Sequence, residues 1–538
     1  MVFARRSTTL LAAIIASCAM VLSLTACTSD NKTVVDGQTT VTSNSAGGVA
    51  VFTPSDGITL NQQMPLNKWA KLVPDLTKAL VDAGFKKGDI NHTTSDSLDK
   101  QSRAIQDFVV DHLSNNTTDD SGIAIAPDNM TLLVAPVVEA DASTRQYGDY
   151  VSQNLSTNDV TDEGATSDGE SSEDDSSNTE SDSTASDEQA QAVDRLVSSL
   201  KLAKESGMHV VLLGNSIEGY KPDAFVKFSD AQTIGKLQAE KMVSKLKLDK
   251  ASKDNPKYIE VLLPYTAMDE KSNANDSTFA QEAFRGIWQV LGSYYQKGVV
   301  ESPSGTLDGK STENDWQAVA YDAAKEGSTA KVLDKRLAKT DGQSTLTRID
   351  GIITMNDYIA SEVVKELDDL GYTGSAADIN PQITISGIVG NITGKKDLSR
   401  DAVPDPIKSP ENDNANDSSS SDDDADKDTS ASDKDRDSQW PLVTGYGAYV
   451  SNIPSIVNGK QWMTGMEDRQ TIATDIAQAC AKLNKDEALN SMPSIRNSEV
   501  GGVKKIPTIN EPLLAVSAGN LKSALIDPGY ISLADAGL

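Results

Sequence analysis

Apolar residues recur along this chain with two different periods, and the alternation between the two is its main structural signal. Val49 to Thr53, Leu132 to Val138, His209 to Leu213, Ile259 to Leu263 and Gly351 to Met355 are short apolar runs of strand length. Between them the spacing changes to three and four. Trp69, Leu72, Val73, Leu76 and Leu80 form one helical stripe, and Ile105, Phe108 and Val109 belong to a second. Further helices are predicted at Gln191 to Glu205, Ala231 to Leu246, Phe279 to Tyr295, Ile359 to Leu370 and Thr471 to Leu483. A repeated strand–helix rhythm predicts parallel sheets with helices on both faces. The total exceeds what one such sheet holds, so the expected fold class is α/β, with two doubly wound parallel-sheet lobes.

Two stretches break the rhythm. Val151 to Ala190, and roughly Asp405 to Asp437, are made of Ser, Asp, Glu, Asn and Thr. Such segments bury too little apolar surface to offset chain entropy and are expected to be disordered. Binding of cations or of a basic partner is their functional alternative. They carry much of the formal net charge of -30. An acidic chain without a basic patch argues against nucleic-acid binding.

The N-terminus has a pattern of its own. Arg5 and Arg6 precede a mostly apolar run, Leu10 to Leu24, and small residues then lead to Cys27 in Leu24-Thr25-Ala26-Cys27. An apolar stretch of roughly 15 residues is short of the roughly 20 that span a bilayer as a helix, so it reads as a signal peptide. The last four residues match a lipobox, in which the thiol is the acyl acceptor. Cleavage before Cys27 leaves a diacylglyceryl cysteine, and two acyl chains give firm membrane attachment. An ordinary secretory signal with a chance cysteine is the competing reading. Of the other cysteines, Cys18 leaves with the signal and Cys480 sits within a helical stripe as a small core residue, so no disulfide is expected.

No catalytic constellation emerges. The three histidines, His92, His112 and His209, have no zinc-site spacing, and Asp422-Asp423-Asp424 lacks the Gly and Glu of a calcium loop. Neither a nucleophile elbow nor a phosphate loop is present. The expectation is no enzyme, no metal and no cofactor.

Several segments, taken in order, resemble the periplasmic-binding-protein type 1 sugar receptors, especially the xylose-binding and multiple-sugar-binding branch that serves ABC importers. Leu66-Asn67-Lys68-Trp69 resembles the Arg-Trp segment opening the first helix, and Ser229 to Gln238 resembles the Phe-Asp-Asn…Gly-x-Leu-Gln block. Ile349 to Asp357 resembles the strand delivering an Asn-Asp pair. Trp440 to Gly445, Ile456 to Gln461, Met463-Thr464 and Glu467-Asp468-Arg469 follow the hinge strand, helix and Lys-Asp-Thr-Arg-like segment, and Gly502 to Pro507 with Gly529-Tyr530 is similar to the family ending. The resemblance implies two lobes joined by three hinge strands, with a sugar-like solute in the cleft. It implies an ABC permease as partner and a monomeric receptor.

On that pattern 1–26 is the signal peptide and 27–48 a flexible tether. The first lobe is 49–257 with 448–483, interrupted by an acidic insert at about 141–190. The second is 258–446, with an insert at about 401–439, and 484–538 returns to the second lobe. The first acidic run is expected on the cleft-side rim.

A sugar site pairs every buried hydroxyl and stacks the ring face on an aromatic. The resemblance assigns that stacking to Trp69, with Lys68 replacing the family arginine, and gives cleft roles to Asp230, Asn356, Asp357 and, in the second lobe, Trp316. For Trp69 the competing reading is a core residue, and for Asp230 a helix N-cap. Elsewhere the pattern departs from the family. Tyr-Asp-Arg becomes Leu213-Gly214-Asn215-Ser216, Gly-Gln-Asp becomes Gly445-Tyr446-Gly447, and the Asp-Asn-Asn-Ala loop becomes Asn275-Asp276-Ser277-Thr278. Each buried charged hydrogen bond lost costs about 1.5–3 kcal/mol. Either the ligand differs, or Tyr446 and Asn215 supply new contacts, or the fold serves as a sensor, scaffold or surface interaction protein without monosaccharide binding.

Overall fold

The computed structural model describes residues 46–55, 65–115, 125–138, 144–156, 180–265, 275–323, 325–338, 345–376 and 438–538. The signal peptide, Cys27, most of the tether and nearly all of the second acidic run lie outside these residues.

The first lobe is built on strands β1 (Gly48–Pro54), β2 (Ile90–Ser95) and β3 (Met130–Val134). A short β4 (Asn154–Leu155) follows, then β5 (His209–Leu213), a short β6 (Ser216–Ile217) that pairs with β4, and β7 (Ala224–Lys227). The order β2-β1-β3-β5-β7 is parallel throughout. Both faces are apolar because residues alternate along each strand. Val49 and Val51 pack under helix α1 (Trp69–Asp82) and the helix Arg469–Leu483, whereas Ala50 and Phe52 pack under α2 (Leu98–Asn115) and α3 (Glu180–Glu205). The stripe Trp69, Leu72, Leu76 and Leu80 is buried as its spacing predicts. Helix α3 begins at Glu180, inside the run expected to be disordered, rather than at Gln191.

The second lobe holds β8 (Lys257–Val261), β9 (Leu263–Tyr265), β10 (Val300–Glu301), β11 (Ala320–Asp322), β12 (Gly351–Ile353) and β13 (Leu442–Val443). Its parallel sheet runs β10-β8-β12-β13, and β9 pairs with β11. Helix α4 (Ala231–Leu246) belongs here and not to the first lobe, so the lobes change at residues 228–230 rather than near Lys257. Glycines explain the move. A Cβ on Gly235 would meet the Ala283 carbonyl oxygen at 2.3 Å, and one on Gly286 would meet that of Gln232 at 2.0 Å. Without those side chains, α4 and α5 (Asn275–Gln296) lie backbone to backbone, burying Ile234 and Met242 beside Ile259, Ile287 and Leu291.

The chain recrosses through β14 (Met463–Met466), which leads into the helix Arg469–Leu483. The tail departs from expectation. β15 (Ile495–Val500) and β16 (Val503–Asn510) extend the first-lobe sheet, with β16 parallel to β7. Ile506 and Ile509 bury into its two opposite faces, which accounts for the addition. Only then does the chain leave, as β17 (Leu514–Ser517) antiparallel to β14. The final stretch packs Leu521, Leu525 and Ile531 on Leu66, Ile453, Ile456 and Met466. Residues 228–230, the β14-to-helix turn and residues 511–513 thus form the three crossings.

Candidate ligand cleft between the two lobes

In open parallel sheets ligands sit beyond the carboxyl ends of the strands. Here the chain just past β5, β7, β12 and β13 meets at one junction, where the two lobes touch. The hydroxyls of Ser229, past β7, and Tyr446, past β13, both donate to Glu467 Oε1 and stand 2.5 Å apart. Burial raises the Glu467 carboxyl above its usual range despite these donors, and burial next to Glu467 raises the Tyr446 phenol well above its own. Tyr446 is fully buried.

Asp357 has the most completely partnered side chain of the junction. It opens helix α6 (Asp357–Leu370), with Asn356 as N-cap. Its Oδ1 accepts from Gln461 Nε2 at 2.7 Å, and its Oδ2 from the Tyr449 N–H and the Thr464 hydroxyl, both at 2.9 Å. Gln461 in turn accepts from Asn452, which also donates to the Asp357 carbonyl. The carboxyl lies so close to Gly445 that a Cβ there would meet Oδ1 at 2.2 Å. Burial pushes Asp357 up to about 6, against the pull of its three donors. This arrangement ties α6 to the 445–464 segment.

The remaining candidates are also engaged. Trp69 is a core residue, edge-on to the rings of Tyr150 at 5.1 Å and Phe228 at 5.7 Å. Lys68 pairs with Asp149 at 2.7 Å. Asn215 donates to the Pro136 carbonyl and accepts from the Gln153 N–H. Asp230 caps α4 through Thr233 at 2.7 Å and pairs with Lys227 at 2.9 Å. Burial pulls its carboxyl upward, but Lys227 and Thr233 outweigh it and leave the group below its ordinary value. Trp316 stands edge-on to Tyr265 at 5.7 Å, at the carboxyl end of β9. The structure therefore brings together Lys68, Trp69, Asn215, Asn356 and Tyr446 around residues 146–153, with Asp357 behind them. Asp230 caps its own helix, and Trp316 packs on Tyr265 in the second lobe.

Residues 144–156 were expected on the cleft rim, within a disordered run. They instead run between the lobes. Tyr449 donates to the Gln146 carbonyl at 2.7 Å, and Asn356 Nδ2 to Gln146 Oε1 at 3.1 Å. Tyr147 is buried, with its ring 4.8 Å from Phe279 and 6.3 Å from Tyr446. Asp149 accepts from the Trp69 N–H at 3.0 Å, and Tyr150 stacks on Phe228 at 4.8 Å. The signal was present in the sequence, since Tyr147, Tyr150 and Val151 are apolar residues at the start of an otherwise polar stretch. Asn67 Nδ2, Ser152 Oγ and Glu467 Oε2 are buried here without a hydrogen bond, which is rare in folded proteins. Among the described residues, no group of His, Cys, Asp or Glu could hold a metal ion.

No family model matches the chain, and no curated protein matches it. Solved structures similar to it include an ABC transporter solute-binding protein from Clostridium phytofermentans with bound β-D-glucose. That pair is 17% identical over 91% of this chain and 99% of the other, with a TM-score of 0.45. A carbohydrate transporter solute-binding protein from Chloroflexus aurantiacus in complex with D-glucose is 17% identical over 91% and 98%, at 0.44. A sugar ABC transporter protein from Actinomyces odontolyticus is 11% identical over 89% and 97%, also at 0.44. At these scores the likeness carries no weight of its own. The two-lobed architecture stands on the strand pairings.

Proposed function

We propose that this chain is an extracytoplasmic lipoprotein that binds a sugar or sugar-like solute between its lobes and delivers it to an ABC permease. The observation that supports it most is the convergence of strand ends from two parallel sheets on one junction spanned by three crossings. Such a junction can open and close by small changes at the crossings. Cys27 would hold the protein at the outer membrane face as a monomer, with no catalytic role. Among the described residues no helix is long and apolar enough to cross a membrane.

A thermal-shift screen across pentoses, hexoses and oligosaccharides tests the binding. A solute at a hundredfold excess over its Kd adds about 2.7 kcal/mol of stability, which raises Tm measurably. No shift with any of them would sink the receptor reading. It would favour a sensor or scaffold that does not bind monosaccharides, a reading supported by the internal engagement of Asp357, Tyr446 and Asn215. For the anchor, intact mass of the wild-type N-terminus should show cleavage before Cys27 and the added acyl mass, both lost in Cys27→Ala. A wild-type Cys27 without acyl mass would refute lipidation there.

A further inference from the structure

We infer that residues 144–153 are a tethered plug, seated where a solute would be held and displaced when solute binds. The inference rests on the junction being a solute cleft. The segment is an insertion between β3 and α3, and its polar contacts are those a hydroxylated ligand would make. Its Gln146 offers two acceptors, the backbone carbonyl and Oε1, to the Tyr449 hydroxyl and Asn356 Nδ2. Its Asp149 carboxylate takes the Lys68 ammonium and the Trp69 N–H. Its Tyr147 ring fills the space beside Phe279 and Tyr446. Gln146 reaches second-lobe residues and Asp149 the start of α1, so the plug bridges the lobes as a bound solute would. Its own backbone pairs at the rim, and the chain after it is anchored to the first lobe, where β4 pairs with β6. The Asp149 N–H donates to the Asn67 carbonyl at 2.8 Å, the Ser152 N–H to that of Ser229 at 2.9 Å, and the Gln153 N–H to Asn215 Oδ1 at 3.0 Å. Close approach is built in, because Gly148 has φ +95 and a Cβ there would meet the Asn67 carbonyl oxygen at 2.6 Å.

A protein that is binding-competent only when unplugged has its affinity reduced by the unplugged fraction. Hydrogen exchange on the full chain follows the 149, 152 and 153 amides, and titration calorimetry uses D-glucose, D-xylose and myo-inositol as probes. The variants are Gln146→Ala with Tyr147→Ala and, separately, the milder Asp149→Asn. The three amides should be protected in the unliganded wild type and exchange at least about tenfold faster with a saturating probe. The double variant should bind that probe about tenfold tighter or better. Unprotected amides in the unliganded wild type overturn the plug. So does a probe that binds wild type and both variants equally while protection is unchanged. If no probe binds any chain, but the amides are protected in wild type and released in the variants, the seat stands and the sugar-receptor reading falls.

Discussion

Replacing Asp357 by asparagine changes one atom of a buried side chain, and the structure dictates the cost at each pH. Both carboxylate oxygens of Asp357 accept hydrogen bonds, one from Gln461 Nε2 and the other from the Tyr449 N–H and the Thr464 hydroxyl. An asparagine must turn its NH2 toward one of these sets, so a donor faces a donor. Flipping the Gln461 amide only passes the conflict to Asn452, whose Nδ2 already donates to Gln461 Oε1. One buried unsatisfied donor costs about 1–3 kcal/mol at any pH. The protonated acid avoids this. Its O–H can donate to Thr464, whose hydroxyl turns toward the Gly465 carbonyl at 3.4 Å, while the same oxygen still accepts from Tyr449. Burial raises the folded-state value from 3.8 to about 6. Because the folded value is the higher one, the stability linked to this proton is present below about 4 and lost as pH rises through about 6. At about 1.4 kcal/mol per pKa step, the loss is about 3 kcal/mol. Urea unfolding of wild type and Asp357→Asn at about pH 4.5 and 7.5 separates this group from the other carboxylates by difference. The variant should be about 1–3 kcal/mol less stable in acid and equal or superior near pH 7.5. A gap independent of pH would refute the raised value and with it the account of the hinge.

The burial pattern dictates three further outcomes. In the second lobe Arg336 pairs with the fully buried Glu260 and donates to the Val261 and Val319 carbonyls, so Arg336→Ala should cost about 3–5 kcal/mol in denaturant unfolding. A cost below about 1 kcal/mol would mean that water reaches Glu260. Asp230→Ala removes a helix cap rather than a ligand contact, and should lower stability by about 0.5–2 kcal/mol while leaving the affinity for any solute found unchanged. Abolished binding with normal stability would return Asp230 to the cleft. Burial drives the Cys480 thiol far above its ordinary range, so maleimide should label it only on unfolding, and labelling of the native protein would contradict the packing of its helix.

The elements with strong periodicity were legible in sequence. Helix α4 runs Ala231–Leu246 and strand β5 His209–Leu213, both as their patterns predict. Which lobe α4 joins was not legible, because that depends on Gly235 and Gly286 meeting another helix closely, a tertiary fact that no local period encodes. The tail was misread for a similar reason. Val503 to Asn510 carries strand character, but only the open edge of β7 decides which sheet it joins. The acidic composition of Val151 to Ala190 hid a structured beginning, since an average over forty residues dilutes the buried Val151 and Leu155, and the two anchoring tyrosines lie just before the run.

The site residues were harder because polar side chains of one type serve two ends. Asparagine, aspartate and tyrosine at strand ends can hold a sugar hydroxyl or bolt a hinge, and only their partners distinguish the two. Asp357 and Tyr446 have moved to the hinge, where every contact described for them is internal. Lys68 and Asn356, however, donate to Asp149 and Gln146, and the Tyr449 hydroxyl joins them by donating to the Gln146 carbonyl. All three donors now meet oxygens of residues 146–149. Such donors would be costly to bury facing an apolar insertion, and the plug is accordingly polar where they point and aromatic where they do not. Its side chains therefore outline the hydrogen-bonding pattern that a displacing solute must reproduce: acceptors for two neutral donors from the second-lobe side, and an acceptor for the ammonium at the start of α1.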